Sequence, residues 1–261
     1  MTDNASGLDL PRVGLGTMGI EDPDVVATAL EMGYRHLDTA QIYDNEAVVG
    51  DGVADSDVDR EDLTVATKLW VDSLAGADVR AGTEASLDRL GLDAVDLLYV
   101  HRPRGDYDPE TTLPALDDLR ADGLARNVGL SNFEPDQLER AREVLDAPVA
   151  AHQVEFHPYY GDRELLADAQ EHGYPLVAYS PLIGGEALDD PVLTDIADAH
   201  DTSAAAVSIA WVRSHDDVVT VPKASSVDHL RANLDARSLT LSGAEIDRID
   251  DIEREQELFP E

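Results

Sequence analysis

Short apolar runs rich in β-branched residues recur along the chain at positions 13–17, 34–38, 63–67, 95–100, 126–130, 149–154, 175–179 and 218–221. Runs of this length, bounded by turn residues, read as strands covered on both faces, as in a parallel sheet. Between them apolar residues recur at spacings of three and four, the helical period, over 23–32, 45–54, 76–90, 109–122, 135–145, 162–172 and 191–214. Pro135 after Glu134 and Pro191 after Asp190 stand where a first helical residue tolerates proline. Gly91, Gly123 and Gly173 stand where helices should stop. Eight alternating β and α units predict an α/β fold, a closed (β/α)8 TIM barrel forming a single domain over residues 1–261. A doubly wound open sheet is the alternative. It calls for a glycine-rich phosphate turn after an early strand, and Gly14-Leu15-Gly16-Thr17 lacks the third glycine. Two further helical stretches, 227–236 and 242–256, follow the eighth strand, and residues 1–11 read as a lead-in capping the barrel floor.

Composition changes this picture in one respect. Hydrophobic content of 43% is ordinary, but 19 basic residues against 55 acidic ones give a net charge of −36. Such a field repels nucleic acid and anionic membrane, so neither is an expected partner. The acids are interleaved with periodic apolar residues, which argues for a folded, salt-adapted protein rather than a disordered one. There are no cysteines, so disulfides, thiolate metal sites and cysteine nucleophiles are excluded. No apolar run approaches the length of a membrane-spanning helix, and the first residues, Met1-Thr2-Asp3-Asn4, do not resemble a signal peptide. A cytoplasmic location is the expectation.

Only two of the 19 basic residues are lysines, Lys68 and Lys223. In a chain that uses arginine wherever either cation serves, these two are candidates for work that needs an ammonium. Lys68 ends the third strand, His101 follows the fourth, Asp38 ends the second, and Tyr43 lies in the loop after Asp38. Catalytic groups of a barrel sit at the C-terminal strand ends, so these four should share one mouth. A free phenol, with a pKa of about 10, is a poor acid at neutral pH. A nearby ammonium should lower that value, and a carboxylate should keep the ammonium charged. With His101 holding a carbonyl oxygen, Tyr43 becomes a general acid for an oxygen turning into an alkoxide, as carbonyl reduction by hydride transfer requires. Singly, Asp38 reads equally as a helix cap, Tyr43 as a loop anchor and His101 as a strand-end residue. Their convergence with one of two lysines favours the relay. A metal site would need more ligands at strand ends than Asp38 and His101, so none is expected.

The stretch 33–46 resembles the signature of the aldo-keto reductases, matching at Gly33, Arg35, Asp38, Ala40, Tyr43, Asn45 and Glu46. The resemblance continues through Ala66-Thr67-Lys68, Val100-His101, the stretch 128–133, Gln153, Tyr179-Ser180-Pro181-Leu182 and Val221-Pro222-Lys223, and so covers nearly the whole chain. It implies a (β/α)8 barrel, usually monomeric, with Asp38, Tyr43, Lys68 and His101 as catalytic tetrad. It also implies NADPH as cofactor. Ser131, Asn132 and Gln153 would meet the nicotinamide carboxamide and Tyr179 would stack under the ring. Ser180 and Leu182 would meet the pyrophosphate, with Gly16, Thr17 and Asp38 in the same cofactor set. Lys223, beside Ser225 and Ser226 in a helix start with capping-box spacing, would meet the 2′-phosphate, and Asn233 the adenine.

Two departures from the pattern bear on this. His229 replaces a frequent arginine in the phosphate clamp, with Arg231 two residues on, so NADH use stays open. Arg102 stands where many relatives have tryptophan; it would bind a carboxylate or hydroxyl-rich substrate beside Tyr43 and His101, or else form a surface ion pair. The chain length resembles the bacterial and archaeal branch related to diketogluconate reductases. Short loops and a brief C-terminal tail suggest an open pocket for a small carbonyl, keto-sugar or keto-acid. The alternative function is a cofactor-binding regulatory or sensing subunit with little turnover, which would present an exposed apolar partner surface.

Overall fold

The computed structural model describes residues 7–260. In chain order the elements are β1 Leu15–Gly16, α1 Pro23–Met32, β2 His36–Asp38, α2 Glu46–Asp55, β3 Thr64–Leu69, α3 Val79–Leu90, β4 Leu97–Val100, α4 Pro109–Ala121, β5 Val128–Ser131 and α5 Pro135–Val144. There follow β6 Val149–His157, β7 Tyr160–Gly161, α6 Arg163–His172, β8 Leu176–Tyr179, α7 Pro191–Ala199, α8 Ala204–Ser214, β9 Val218–Thr220, α9 Val227–Asp235 and α10 Gly243–Asp250. Strands pair in the order β1-β2-β3-β4-β5-β6-β8-β9, all parallel, with β7 a short antiparallel return on β6.

The ends of this sheet meet. Gly14 N donates to Thr220 O at 2.8 Å, Thr220 N to Arg12 O at 3.0 Å and Gly16 N to Pro222 O at 3.2 Å. The expected closed barrel is therefore formed, and its core divides in two. Ala66, Leu97, Tyr99, Ala151, Val177, Val219 and Val221 pack with Leu10 in a small inner cluster. A much larger cluster lies between sheet and helices. Gly129 serves the inner cluster, because a Cβ there would stand 2.5 Å from the Tyr99 ring. Leu8 also packs against that cluster, so the described part of the lead-in plugs the barrel as expected, and residues 1–6 lie outside the described residues.

Part of the acidic excess is structural. Asp22, Asp108, Asp162 and Asp190 each cap a helix, accepting from backbone N–H groups one turn in. A carboxylate at a helix N-terminus satisfies orphan donors and meets the positive end of the dipole. Pro135 and Pro191 occupy first-turn positions as expected, and Gly91 and Gly173 close helices in the left-handed conformation.

Three expectations are corrected. The stretch 191–214 is two helices, not one: the chain leaves α7 at Ala199, Asp201 takes a left-handed φ of 52°, and Ser203 caps α8 by accepting from Ala206 N. The helix expected over 242–256 ends at Asp250, and the residues after it form an extended tail. At 225–228 the N-cap is Ser226, which accepts from His229 N, while capping boxes form instead at Glu134 with Gln137 and at Ser242 with Glu245.

Candidate active site

Parallel register brings the four candidate groups together. Asp38, the last residue of β2, pairs with Ala66 of β3, two residues before Lys68, and Lys68 pairs with Tyr99 of β4, two before His101. Residues two apart on a strand share a face, so Asp38, Lys68 and His101 point into one mouth. Lys68 Nζ lies 2.5 Å from Asp38 Oδ1 and 2.8 Å from Thr39 O, with its side chain fully buried. From β6, Gln153 Nε2 donates to Asp38 Oδ2 at 2.7 Å, so both carboxylate oxygens are held. The Lys68 ammonium lies 5.1 Å from the centroid of the Tyr43 ring. The His101 ring stands edge-on to Tyr43 at 5.9 Å and to Trp70 at 5.0 Å.

Charge within this group is set by burial and by the pair. Burial alone would push Lys68 down, but Asp38 and Tyr43 outweigh it and its pKa ends above the usual value. Burial pulls His101 down to about 2, helped by the charges of Lys68, Arg102 and Arg104, so its imidazole is neutral. Tyr43 corrects the sequence expectation: burial raises its pKa, and Lys68 only moderates the rise. The phenol keeps its proton until something more basic appears beside it.

The remainder of the 33–46 stretch is scaffolding for these groups. Asn45 Nδ2 donates to Thr17 O at 2.7 Å and Ile20 O at 3.0 Å, while its Oδ1 accepts from Thr39 Oγ1 at 3.1 Å. Glu46 accepts from Thr67 Oγ1 at 2.5 Å and pairs with Arg89 at 2.6 Å. Both residues are buried, and they tie the loops after β1 and β2 to β3. Thr17 donates through N and Oγ1 to Asp38 O, at 3.0 Å each, fixing the backbone of the acid.

The residues expected around a dinucleotide ring the same mouth. Ser131 ends β5 and is buried, and Asn132 follows at φ 59°, a left-handed value that asparagine tolerates better than most residues. Asn132 Nδ2 donates to His101 O at 2.9 Å, and its Oδ1 accepts from Tyr179 Oη at 3.0 Å. Ser180 and Ile183 flank Leu182 with φ of 56° each, and left-handed backbone at a β-branched residue is strained. Gly16 lies against Val221, where a Cβ would stand 2.5 Å from its carbonyl oxygen. Lys223 is exposed and donates to Ser225 Oγ at 3.3 Å. Ser225, Ser226, His229 and Arg231 are exposed around the start of α9, whereas Asn233 is buried with its Nδ2 unpartnered. Arg102 is buried, at 9% exposure, rather than at the surface, and its charge reaches Tyr43, His101 and Tyr179.

Comparison with known proteins fits this geometry. The aldo/keto reductase family profile matches residues 12–190 and 186–254. The chain belongs to the aldo/keto reductase family. It is 37% identical over 259 residues to the glyoxal reductase of Bacillus subtilis (strain 168), covering 98% of this chain and 93% of that one. It is 37% identical over 238 residues to the methylglyoxal reductase DkgB of Escherichia coli O157:H7, covering 89% of each. The crystal structure of MGS-M4, an aldo-keto reductase enzyme from a Medee basin deep-sea metagenome library, superposes with a TM-score of 0.92 at 31% identity, over 98% of this chain and 96% of that one. Membership of this family brings the reaction class, reduction of a carbonyl to an alcohol.

Two parts of the site of this aldo/keto reductase were not foreseen. Trp70, one of two tryptophans, lies two residues after Lys68 and walls His101; its place just past a strand end was the available signal. The second is the tail. Leu258 N and Phe259 N donate to Glu155, and the Phe259 ring stands 5.9 Å from that of Tyr179. The mouth is thus partly covered, where short loops had suggested an open pocket. A cleft of about 490 Å³, lined by Tyr159, Arg163, Trp211 and Arg254, lies elsewhere and contains none of the four candidate catalytic residues.

Proposed function

We propose that this chain reduces small aldehydes and ketones with NADPH, with Tyr43 as the proton donor. The observation that carries the reading is the buried Lys68 ammonium, bonded to Asp38 at 2.5 Å and lying beside the Tyr43 ring. When bound, the dinucleotide supplies the hydride. Tyr43 gives its proton to the carbonyl oxygen as charge develops there. Its raised pKa means that the proton leaves only for a strong base, and an alkoxide is one. Lys68 stabilises the phenolate left behind, and Asp38 with Gln153 keeps the ammonium in place. His101 is not the acid: with a pKa near 2 it carries no spare proton at neutral pH, and it serves as a neutral partner to the carbonyl oxygen.

The residues present suit the cofactor. The orphaned Nδ2 of Asn233 is a donor for an adenine, and the Tyr179 ring is a platform for a nicotinamide. Ser131, Asn132 and Gln153 would hold the carboxamide; Gly16, Thr17, Ser180 and Leu182 would line the path of the pyrophosphate. Lys223, with Ser225, Ser226 and the N-terminus of α9, suits a 2′-phosphate, and in a chain at −36 a lysine kept there favours NADPH over NADH. The names of the relatives bring glyoxal and methylglyoxal forward as first substrates, in a cytoplasm rich in salt. The test is oxidation of NADPH and NADH in molar potassium chloride with a panel of aldehydes, dicarbonyls and keto-sugars. Turnover with NADPH and small dicarbonyls is expected; none with any carbonyl would overturn the reading.

A further inference from the structure

We propose that Glu155 is a positioning residue for the nicotinamide pocket: its carboxylate captures the C-terminal segment and so holds Phe259 against Tyr179. The inference rests on the reading of Tyr179 as the nicotinamide platform.

The clamp is built on β6. This strand runs nine residues, and Gln153, Glu155 and His157 alternate onto one face. Gln153 reaches Asp38, while Glu155 lies beside Tyr179 of β8, its register partner. Glu155 is buried at 4% exposure and needs donors for both oxygens. His157 supplies one. Its Nδ1 accepts from Tyr159 N at 3.2 Å, so its proton sits on Nε2, which donates to Glu155 Oε1 at 2.8 Å. The tail supplies the others: Leu258 N donates to Oε1 at 2.7 Å and Phe259 N to Oε2 at 3.0 Å. Consecutive backbone N–H groups thus grip the carboxylate, one on each oxygen.

This grip fixes where the two side chains go. Leu258 comes up to Gly184, in the strained segment after Ser180. Phe259 stands edge-on to Tyr179, interplanar angle 76°. The Tyr179 hydroxyl is itself tied, donating to Asn132 Oδ1 at 3.0 Å. Tyr179 is therefore held at its hydroxyl and against the Phe259 ring before any ligand arrives, which cuts the ordering cost of stacking on it. Behind the clamp the tail is secured again, with Gln256 N donating to Tyr159 O at 3.0 Å and Gln256 Nε2 to Glu186 Oε1 at 2.8 Å.

A clamp that serves only folding would not distinguish ligands. The test is binding of NADPH and of 2′-phospho-ADP-ribose, which lacks the nicotinamide, to the full chain, wild type against Phe259→Ala, Phe259→Tyr and Glu155→Gln. Phe259 is 39% exposed, so its variants should fold even if Glu155→Gln does not. Phe259→Ala and Glu155→Gln should raise the Kd for NADPH by about two- to tenfold, the worth of one edge-on aromatic contact, and leave the fragment unchanged. Phe259→Tyr should restore NADPH binding. An unchanged NADPH Kd in Phe259→Ala, or equal weakening of both ligands, overturns the clamp alone. A wild type that binds neither nucleotide overturns the cofactor reading, and this inference with it.

Discussion

Replacing Lys68 by Met tests the buried pair at the centre of the site. The side chain has no exposure, and its loss leaves the Asp38 carboxylate inside the barrel without its counter-charge. Breaking a buried pair from one side costs about 3–5 kcal/mol, most of it the uncompensated charge. Asp38 keeps the Gln153 hydrogen bond at 2.7 Å, which argues for the lower end, about 3 kcal/mol. For a domain of this size 1 kcal/mol moves Tm by roughly 2 °C, so Lys68→Met should melt about 6 °C below wild type. The double variant Lys68→Met, Asp38→Asn removes the stranded charge and should recover most of that loss while staying inactive. Thermal unfolding followed by circular dichroism, at two potassium chloride concentrations that keep the wild type folded, measures this. Salt screens the buried pair weakly, so the shift should be similar at both. A single variant that melts with the wild type, or a double variant as unstable as the single, refutes the coupling. Turnover retained by Lys68→Met refutes its part in the reaction.

Three further outcomes follow from the same geometry. Tyr43→Phe should lower kcat by roughly 10²–10⁴-fold and leave the Kd for NADPH unchanged, as stopped-flow binding and steady-state rates will report; near-normal kcat would sink the general-acid assignment. Lys223→Gln should raise the KM for NADPH by on the order of tenfold with little change for NADH, the loss of one charge-assisted contact, and parallel changes for both cofactors would contradict its pairing with a 2′-phosphate. His36, His101 and His152 are buried and held near pKa 4, 2 and 3, so below about pH 6.5 they take up protons only on unfolding, and their stability contribution falls as the pH falls. His36→Gln should therefore flatten the dependence of urea stability on pH between about 6.5 and 4.5 by up to about 1.4 kcal/mol per pH unit, and an unchanged slope would count against a neutral His36 in the fold.

The barrel was legible because each strand and helix carries its own period, and because proline, aspartate and glycine mark the helix ends. The run 23–32 reappears as α1 without a change of boundary. The convergence of the candidate groups was legible because strand ends are legible: Lys68 and His101 could be set on one mouth from the positions of β3 and β4 alone. What escaped was decided by contacts distant in sequence. The tail after Asp250 carries a polar, acidic pattern compatible with a helix, and its path is set by Glu155, over a hundred positions earlier. The sign of the Tyr43 shift escaped for a related reason. Sequence places an ammonium near the phenol but says nothing of how far water is excluded from it, and burial decides the direction.

Electrostatics divides this protein into a shell and a centre that obey different rules. The net charge of −36 rests on side chains that are mostly in water, with paired arginines such as Arg80 with Asp122 and Arg140 with Glu110 half exposed among them. Exposed pairs are worth little singly, and the repulsion among the remaining acids is long-ranged, so salt, with a Debye length of about 3 Å at 1 M, governs the shell. At the centre, Asp38 and Lys68 sit at 2.5 Å with water excluded, and dissolved ions do not enter between them. Such a chain can raise its surface charge without disturbing the buried Asp38–Lys68 pair, provided that the centre stays dry. The two lysines fall on opposite sides of that division. Lys68 is sealed from the salt inside the barrel, whereas Lys223 is exposed to it beside Ser225 at the start of α9.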